Sequence, residues 1–245
     1  MTTHQSGTDE WIEEVFASPP ARDVQGRSRP TTRFHVSAGG NEAVEGKTAS
    51  LSRLVLSSAI NCGLIKRYKF EPCALCKETH GVDAIPDILF EHADNRRFFV
   101  EAKAERHLAR PADIEKARAV AACAQEAGIN YLFWTDLWPL VKPLGRILRS
   151  SRRCGTASVP AQQVENLVQR VDRGDAHWDE LRDAGIFRDA ILHAFWTGRV
   201  HLNLFEDPCD KTIVSSNIAT RSFDTLLGAG INSHEWWYDL LPLGR

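Results

Sequence analysis

Hydrophobic and polar positions change their spacing along the chain, and these changes predict a mixed α/β protein. Apolar residues recur at helical spacing over 49–62 and again over 112–127. Short apolar or alternating runs bounded by turn residues are typical of strands. The predicted strands cover 64–70, 85–92, 97–103 and 130–135. The order helix, three strands, helix, strand predicts a compact α/β sheet with helices on both faces.

The second half of the chain has a different pattern. The segment 143–160 is rich in arginine and predicts a basic linker. Beyond it, helical spacing and then strand-like runs predict three helices and a β-hairpin, which together make a winged-helix-like domain. The helices are predicted over 161–173, 177–182 and 188–197, and the strands over 198–204 and 211–215.

Four segments follow from these patterns. For residues 1–48 we predict a weakly ordered N-terminal arm, because proline and glycine residues interrupt this segment and only 9–16 has helical spacing. Residues 49–145 form the α/β domain, and 146–216 form the winged-helix-like domain. Residues 217–245 form a tail with three adjacent aromatic residues near a polar end. We expect this tail either to pack back on the second domain or to dock on a partner.

Composition restricts the class of protein. The 245 residues are 43% hydrophobic and 25% charged, which is ordinary for a globular chain and excludes disorder throughout, collagen and coiled coils. The sequence has neither a long apolar run nor a secretory signal, so we expect a cytoplasmic protein with reduced thiols and no membrane span. A net charge of −2 excludes a basic field over the whole chain, although local basic clusters can still bind nucleic acid.

The candidate chemistry lies in the pair of central strands. Asp87 follows Pro86, and Glu101-Ala102-Lys103 comes fourteen residues later, so adjacent antiparallel strands can bring the two acids side by side. Two carboxylates suit Mg²⁺, and a lysine can orient or deprotonate an attacking water, as phosphodiester hydrolysis requires. The alternative is a surface Asp87 beside a Glu101–Lys103 ion pair. The apolar residues around these charges favour the functional interpretation.

These motifs resemble the PD-(D/E)xK nuclease superfamily and, more narrowly, the TnsA family, the endonuclease subunits of heteromeric bacterial transposases. The resemblance covers about 50–215 and includes Phe70-Glu71-Pro72, Pro86-Asp87, Glu101-Ala102-Lys103, Leu132-Phe133-Trp134-Thr135-Asp136 and Gly198-Arg199-Val200-His201-Leu202. It implies a restriction-endonuclease-like core followed by a winged-helix-like domain.

The resemblance also implies an activity and partners. Members of the family cut the 5′ strands of double-stranded DNA at transposon ends, with Mg²⁺ that Mn²⁺ can replace. They work with a DDE transposase subunit, which cuts the 3′ strands, and with an ATPase regulator of transposition. The location implied is the bacterial cytoplasm, in association with the nucleoid.

Two positions differ from the family pattern. The family often has Gln where this chain has Glu101, although Glu is common across the wider superfamily and keeps a metal ligand. The family has an acid on the first helix where this chain has Ser52. Glu45 lies about two helical turns earlier and replaces that acid if the helix begins by then; Glu42 is a further option. The predicted catalytic residues are therefore Glu45, Asp87, Glu101 and Lys103, with the three acids as metal ligands. Otherwise the chain binds fewer metal ions or has lost activity.

Other polar residues give less specific predictions. Lys66, Arg67 and Lys69 on one strand, and Arg106 after the catalytic strand, could contact a DNA backbone or form a solvated edge. Cys73-x-x-Cys76 could bind zinc, but a single such pair favours ordinary thiols.

Two other functions remain open from the sequence. One is a stand-alone restriction or defence nuclease with the same core, which would cut DNA without partners. The other is a catalytically inactive, DNA-binding assembly subunit, which the serine at position 52 suggests.

Overall fold

A computed structural model describes residues 3–21, 32–37, 40–45, 47–75, 83–103, 110–135, 141–202 and 209–216. These residues form a mixed α/β protein, which confirms the predicted class. They divide into two compact units, and the chain passes from one to the other between Ser52 and Arg53, between Leu64 and Ile65, and again between 135 and 141.

Both units contain helices and strands. The first unit contains α1 (Thr3–Ala17), β1 (Thr32–Ser37), β2 (Gly40–Glu45), the start of α2 (Lys47–Asn61), β3 (Ile65–Phe70), β4 (Ile88–His92), β5 (Arg97–Lys103), α3 (Pro111–Glu126) and β6 (Asn130–Thr135). The second contains the rest of α2, α4 (Val141–Thr156), α5 (Ala161–Val171), β7 (Ala176–His177), α6 (Trp178–Asp183), α7 (Arg188–Trp196), β8 (His201–Leu202) and β9 (Ile213–Ser215).

The main sheet of the first unit has the strand order β3-β4-β5-β6. Strands β3, β4 and β5 are antiparallel neighbours, and β6 runs parallel to β5 after the α3 crossover. The β4–β5 turn contains Asn95 at φ 72°, and the Asp94 carboxylate accepts the Arg96 backbone N–H at 3.0 Å. The predicted strands and the hairpin between them are therefore confirmed.

The N-terminal region differs from the predicted arm. Residues Thr3–Ala17 form α1, and residues 32–45 contain the antiparallel β1–β2 pair. Ile12 and Val15 on α1 are buried in the same cluster as Leu89 and Phe99 of the sheet. Apolar residues at helical spacing give α1 a stripe that is stabilised by burial on the sheet, and this outweighs the proline and glycine that follow it.

Both faces of the main sheet carry large apolar side chains. On the face toward α1 and α3, Phe99 packs with residues of both helices, and its ring meets that of Trp11 edge to face at 6.3 Å. On the opposite face, the rings of Phe90 and Phe98 stack at 4.7 Å, and Trp134 extends the stack at 6.3 Å from Phe90. The strands are consequently buried on both sides at their centres.

The second unit is built around helices α4, α5 and α7 and a small sheet. Its strands have the order β7-β9-β8 and are antiparallel. The predicted helices and the strand over 211–215 are confirmed, and the strand predicted over 198–204 is observed at His201–Leu202. Strand β7 was not predicted, because its His177 was placed at the start of the following helix. The segment predicted as a basic linker forms α4, in which Ile147 and Leu148 are buried. Its arginines concealed an apolar stripe at helical spacing.

Among the described helices, none combines the length and the apolar character that crossing a membrane requires. The predicted docking tail, 217–245, lies outside the described residues.

Candidate active site

Asp87 and Glu101 lie beside each other at one end of the β4–β5 pair. Ile88 pairs with Val100, and continuing this register by one residue brings Asp87 opposite Glu101. The Ala102 N–H donates to Asp87 Oδ2 at 2.8 Å, and the Glu71 N–H donates to the Asp87 carbonyl at 2.9 Å. Asp87 is thus held from both neighbouring strands, and its carboxylate is fixed against β5.

Glu101 is a buried acid with a cation nearby. Only 2% of its side chain is exposed, and Lys116 Nζ on α3 lies 3.4 Å from its Oε1. A buried carboxylate is costly unless a positive charge or hydrogen bonds compensate for it. The helix that covers this face of the sheet therefore supplies a counter-charge to the candidate site.

Tyr131 on β6 is the second residue that the site adds from outside the hairpin. Its side chain is buried, and burial together with the negative charges of Glu101 and Asp87 raises the pKa of its hydroxyl well above the usual range. The hydroxyl consequently stays protonated near neutral pH. Because the charges of both carboxylates raise the pKa of this one hydroxyl, the three side chains lie close together.

Lys103 is the last residue of β5, two positions after Glu101, and its backbone pairs with Thr135 of β6. The backbone therefore places it at the same end of the sheet as the two acids. The conformation of its side chain is outside the described part of the structure, so its role remains a prediction.

The expectation that Glu45 lies on the first helix is wrong. Helix α2 begins at Lys47, and Glu45 ends β2, where it pairs with Thr32; the other option, Glu42, pairs with His35 in the same strand. Ser52 lies on α2 and is buried. Among residues with described side chains, no third His, Cys, Asp or Glu joins Asp87 and Glu101.

The carboxylates at this end of the β4–β5 pair fit Mg²⁺. Carboxylate oxygens are the ligands that this hard cation prefers, and Mg²⁺ commonly uses one or two carboxylates and completes its shell with water and substrate phosphate oxygens. Asp87 and Glu101 can supply the two carboxylates. The positive charge of Lys116 near Glu101 balances part of their charge when no cation is bound.

The four predicted DNA contacts have different outcomes. Lys69 is buried, and its ammonium group donates to the carbonyls of Val15 and Ser18 at the C-terminal end of α1, so it is not available to a phosphate. The side chain of Lys66 is 44% exposed and lies 3.5 Å from Glu91. Arg106 lies outside the described residues.

Arg67 is part of the internal structure of the first unit. Its guanidinium bonds to Glu13 on α1 at 2.7 Å and to Glu91 on β4 at 2.6 Å, and it lies 4.0 Å above the Phe16 ring. The hydrogen bonds that Arg67 donates to the Glu13 carboxylate, and then to the Glu91 carboxylate, raise the pKa of Arg67. These contacts hold α1 against the sheet. They also occupy the Arg67 guanidinium, which is the group that would have to contact a DNA phosphate.

The structure tests the zinc hypothesis only at one of its two cysteines. Burial raises the pKa of Cys73 to about 11, so its thiol is protonated near neutral pH. Cys76 lies outside the described residues.

Sequence reasoning found the two acids but missed Lys116 and Tyr131. The spacing along the hairpin predicts that the two acids lie together. Lys116 and Tyr131 reach the site through the α3 crossover and the parallel β5–β6 pairing, which this spacing does not reveal. The signal for Lys116 was available, since it precedes Ala117 and Val120 on the buried face of α3. No protein-family model matches this chain, and a search of curated proteins finds no significant match.

Proposed function

We propose that this chain is a Mg²⁺-dependent DNA endonuclease of the TnsA type, which cuts the 5′ strands at transposon ends together with a DDE transposase subunit and an ATPase regulator. The observation that carries the proposal is the placement of Asp87 beside Glu101 at the end of paired strands, with Lys103 two residues further along. Two acids and a lysine at one end of a pair of strands are the groups that phosphodiester hydrolysis uses.

The order of elements supports the finer fold proposal. Along the chain, α2 precedes the three antiparallel strands, the crossover helix and the parallel strand of the first unit, which is the order expected of a PD-(D/E)xK core. In the second unit, α5, β7, α6, α7, β8 and β9 follow one another as helix, strand, two helices and two strands, with β9 between β7 and β8. This order supports a winged-helix-like domain.

The residues take separate roles in the proposed reaction. Asp87 and Glu101 would hold Mg²⁺, which supplies Lewis-acid stabilisation of the charge that develops on the phosphate. Lys103 would orient the attacking water and accept or share its proton as the new P–O bond forms and the scissile P–O bond breaks. Tyr131 keeps its proton beside the two acids, and Lys116 holds Glu101 in place.

The test is cleavage of an end-labelled duplex that carries the element's ends, with Mg²⁺ or Mn²⁺ and the transposase partner present. We expect 5′-strand nicking by the native chain, and a loss of about 10²-fold or more in Asp87→Asn, Glu101→Gln and Lys103→Ala, since each removes a group used in the transition state. Asp94→Asn is the matched control, because Asp94 is an acid of the same hairpin that is exposed in its turn.

A second readout does not depend on turnover. We expect Mg²⁺ to raise the unfolding temperature of the native chain and of Asp94→Asn, but not that of Asp87→Asn or Glu101→Gln, because a cation bound only by the folded state stabilises it. Cleavage that persists in all three active-site variants, with assembly intact, would contradict the proposal.

A second candidate is an inactive assembly subunit. The observation that favours it is Ser52, a buried serine on α2 at the position where the family has an acid. This candidate predicts that the native chain joins the complex and binds DNA but gives no 5′ nicking, and that Mg²⁺ leaves its unfolding temperature unchanged.

A further inference from the structure

Helix α4 carries a concentrated positive charge in a chain whose net charge is −2. Its sixteen residues include one lysine and four arginines and have no acid. Arg146, Arg149 and Arg153 are all exposed, and their spacing of three and four residues places them along one face of the helix. We call these three residues the basic stripe.

The opposite face of α4 is already in use. Ile147, Leu148 and Ser151 are buried, and the helix packs along α7. The Cys154 carbonyl lies 3.0 Å from His193 Nδ1, and Gly155 approaches the Trp196 ring so closely that a Cβ would overlap it. Since its apolar face is covered, α4 cannot insert that face into a membrane surface or a partner's groove.

This packing also limits what α7 can do. In a helix-turn-helix, the second helix reads bases from the major groove, and in the proposed winged-helix-like domain this helix is α7. Here Asp189, His193 and Trp196 of α7 are engaged by α4: Cys154 Sγ lies 3.6 Å from Asp189 Oδ1, in addition to the contacts of His193 and Trp196. The side of α7 that would enter a groove is therefore occupied from within the same unit.

We infer that the basic stripe on α4, rather than α7, is the DNA-binding surface of the second unit, and that it binds the phosphate backbone of duplex DNA without reading sequence. The inference rests on the proposed function, in which DNA is the substrate. The stripe spans roughly 10 Å, seven residues at 1.5 Å each, which covers about three base-pair rises of 3.4 Å along the duplex axis.

Charge near the end of the stripe agrees with this assignment. Burial and Asp189 raise the pKa of Cys154, while Arg188 and Arg153 act in the opposite direction. Both guanidinium groups are therefore close to the Cys154 thiol, and Arg188, which is exposed at the start of α7, extends the positive surface beyond α4. Arginine presents planar donors that suit phosphate oxygens.

The test is binding of a duplex of about 30 base pairs of arbitrary sequence, in EDTA, over a range of salt concentrations. We expect the triple variant Arg146→Gln, Arg149→Gln, Arg153→Gln to lower the slope of log K against log salt by about 2 to 3, because each phosphate contact contributes about 0.9. The same three positions changed to lysine should keep most of the native slope, since lysine retains the charge.

The matched control changes three exposed arginines elsewhere in the second unit, Arg170, Arg173 and Arg182, to glutamine. It removes the same charge, and the exposed ion pairs that it breaks contribute little to stability. We expect its slope to stay within about 1 of the native value. Far-ultraviolet circular dichroism and unfolding curves check that both triple variants fold.

Equal slopes for the two triple variants, or no binding of DNA by the native chain at low salt, would overturn the inference. A stripe variant that binds DNA normally but no longer binds the transposase subunit would assign α4 to a protein partner and also overturn it. The proposed function can be wrong while the inference is right: the native chain would then bind DNA through the stripe but give no metal-dependent nicking in the complete system. If the native chain nicks DNA but the stripe variant has the same salt slope as the native chain, the proposed function is supported and the inference about α4 is wrong.

Discussion

At the scale of single residues, Glu101 and Lys116 form a pair that the hairpin alone does not contain. Glu101 is almost fully buried, while Lys116 keeps 29% of its side chain exposed, and their charged atoms lie 3.4 Å apart. Breaking a fully buried pair costs about 3–5 kcal/mol, because it leaves one charge uncompensated. The partial exposure of Lys116 lets water replace some of the lost interaction.

We expect Lys116→Met to lower the free energy of unfolding by about 1–3 kcal/mol, measured by urea denaturation. Adding Glu101→Gln should recover part of this loss, because the buried charge is then also removed, and the double variant should be more stable than the sum of single effects predicts. Gln125→Met, at an exposed position on the same helix, is the control. Strictly additive effects would show that the two side chains do not interact.

Cysteine reactivity is a second residue-scale consequence. Burial raises the pKa of Cys62 to about 12 from an ordinary 9.0, a difference of three units. At about pH 8 its thiolate fraction is thus lowered about 10³-fold, and we expect iodoacetamide to alkylate the exposed Cys209 far faster than Cys62 in the folded protein. Peptide mass spectrometry gives both rates, and denaturant should make them similar.

The same shift in pKa sets a direction for stability against pH. The folded chain keeps the proton on Cys62 that the unfolded chain releases above about pH 9, so this contribution to stability is present below pH 9 and is lost as pH rises toward about 12. Cys62→Ser should reduce that loss. Equal alkylation of Cys62 and Cys209 in the native state would contradict both expectations.

At the scale of elements, the close approach of two helix ends gives a sharper test. Gly198 follows α7 with φ +74°, and a Cβ there would overlap the carbonyl oxygen of Asn61 at the end of α2. Asn61 Nδ2 also donates to the Trp196 carbonyl at 2.5 Å. The end of α2 is thereby fixed against the end of α7 within the second unit.

We expect Gly198→Ala to destabilise the protein more than Gly185→Ala does. Both glycines have positive φ, so both substitutions carry a backbone cost of about 1–2 kcal/mol. Only Gly198 has backbone atoms in the way, which adds about 1–3 kcal/mol, whereas nothing lies within 4 Å of a Cβ at Gly185. Thermal unfolding measures the difference, and equal losses would mean that the contact relaxes without cost.

The elements that the sequence predicted are those with a local signal. The main-sheet strands, α2, α3 and the helices α5–α7 have clear periodicity or clear turn residues, and the structure confirms them. Helix α4 and the first six residues of α1 were missed, because arginines in α4 and polar residues at the start of α1 conceal helices that tertiary burial stabilises. Likewise, the Asp87–Glu101 pair follows from hairpin spacing, while Lys116 and Tyr131 arrive through long-range crossovers that no local pattern specifies.

At the scale of the whole molecule, the charge is balanced overall and uneven locally. Acidic Glu13 and Glu91 neutralise Arg67 inside the first unit, whereas α4 collects basic residues without acids. A net charge of −2 therefore says little about binding. What matters is where the cations lie: Arg67 belongs to an internal ion-pair cluster, whereas the basic stripe lies on an exposed face of α4.

The division of the chain into units has a consequence during synthesis. The end of α2 belongs to the second unit, but its partner Trp196 is 135 residues further along the chain, beyond the whole main sheet. At about 5–20 residues per second, a ribosome needs on the order of 10 s to reach it. The nascent chain can therefore complete β3–β6 before the residues of α2 that follow Ser52 meet their partners in the second unit.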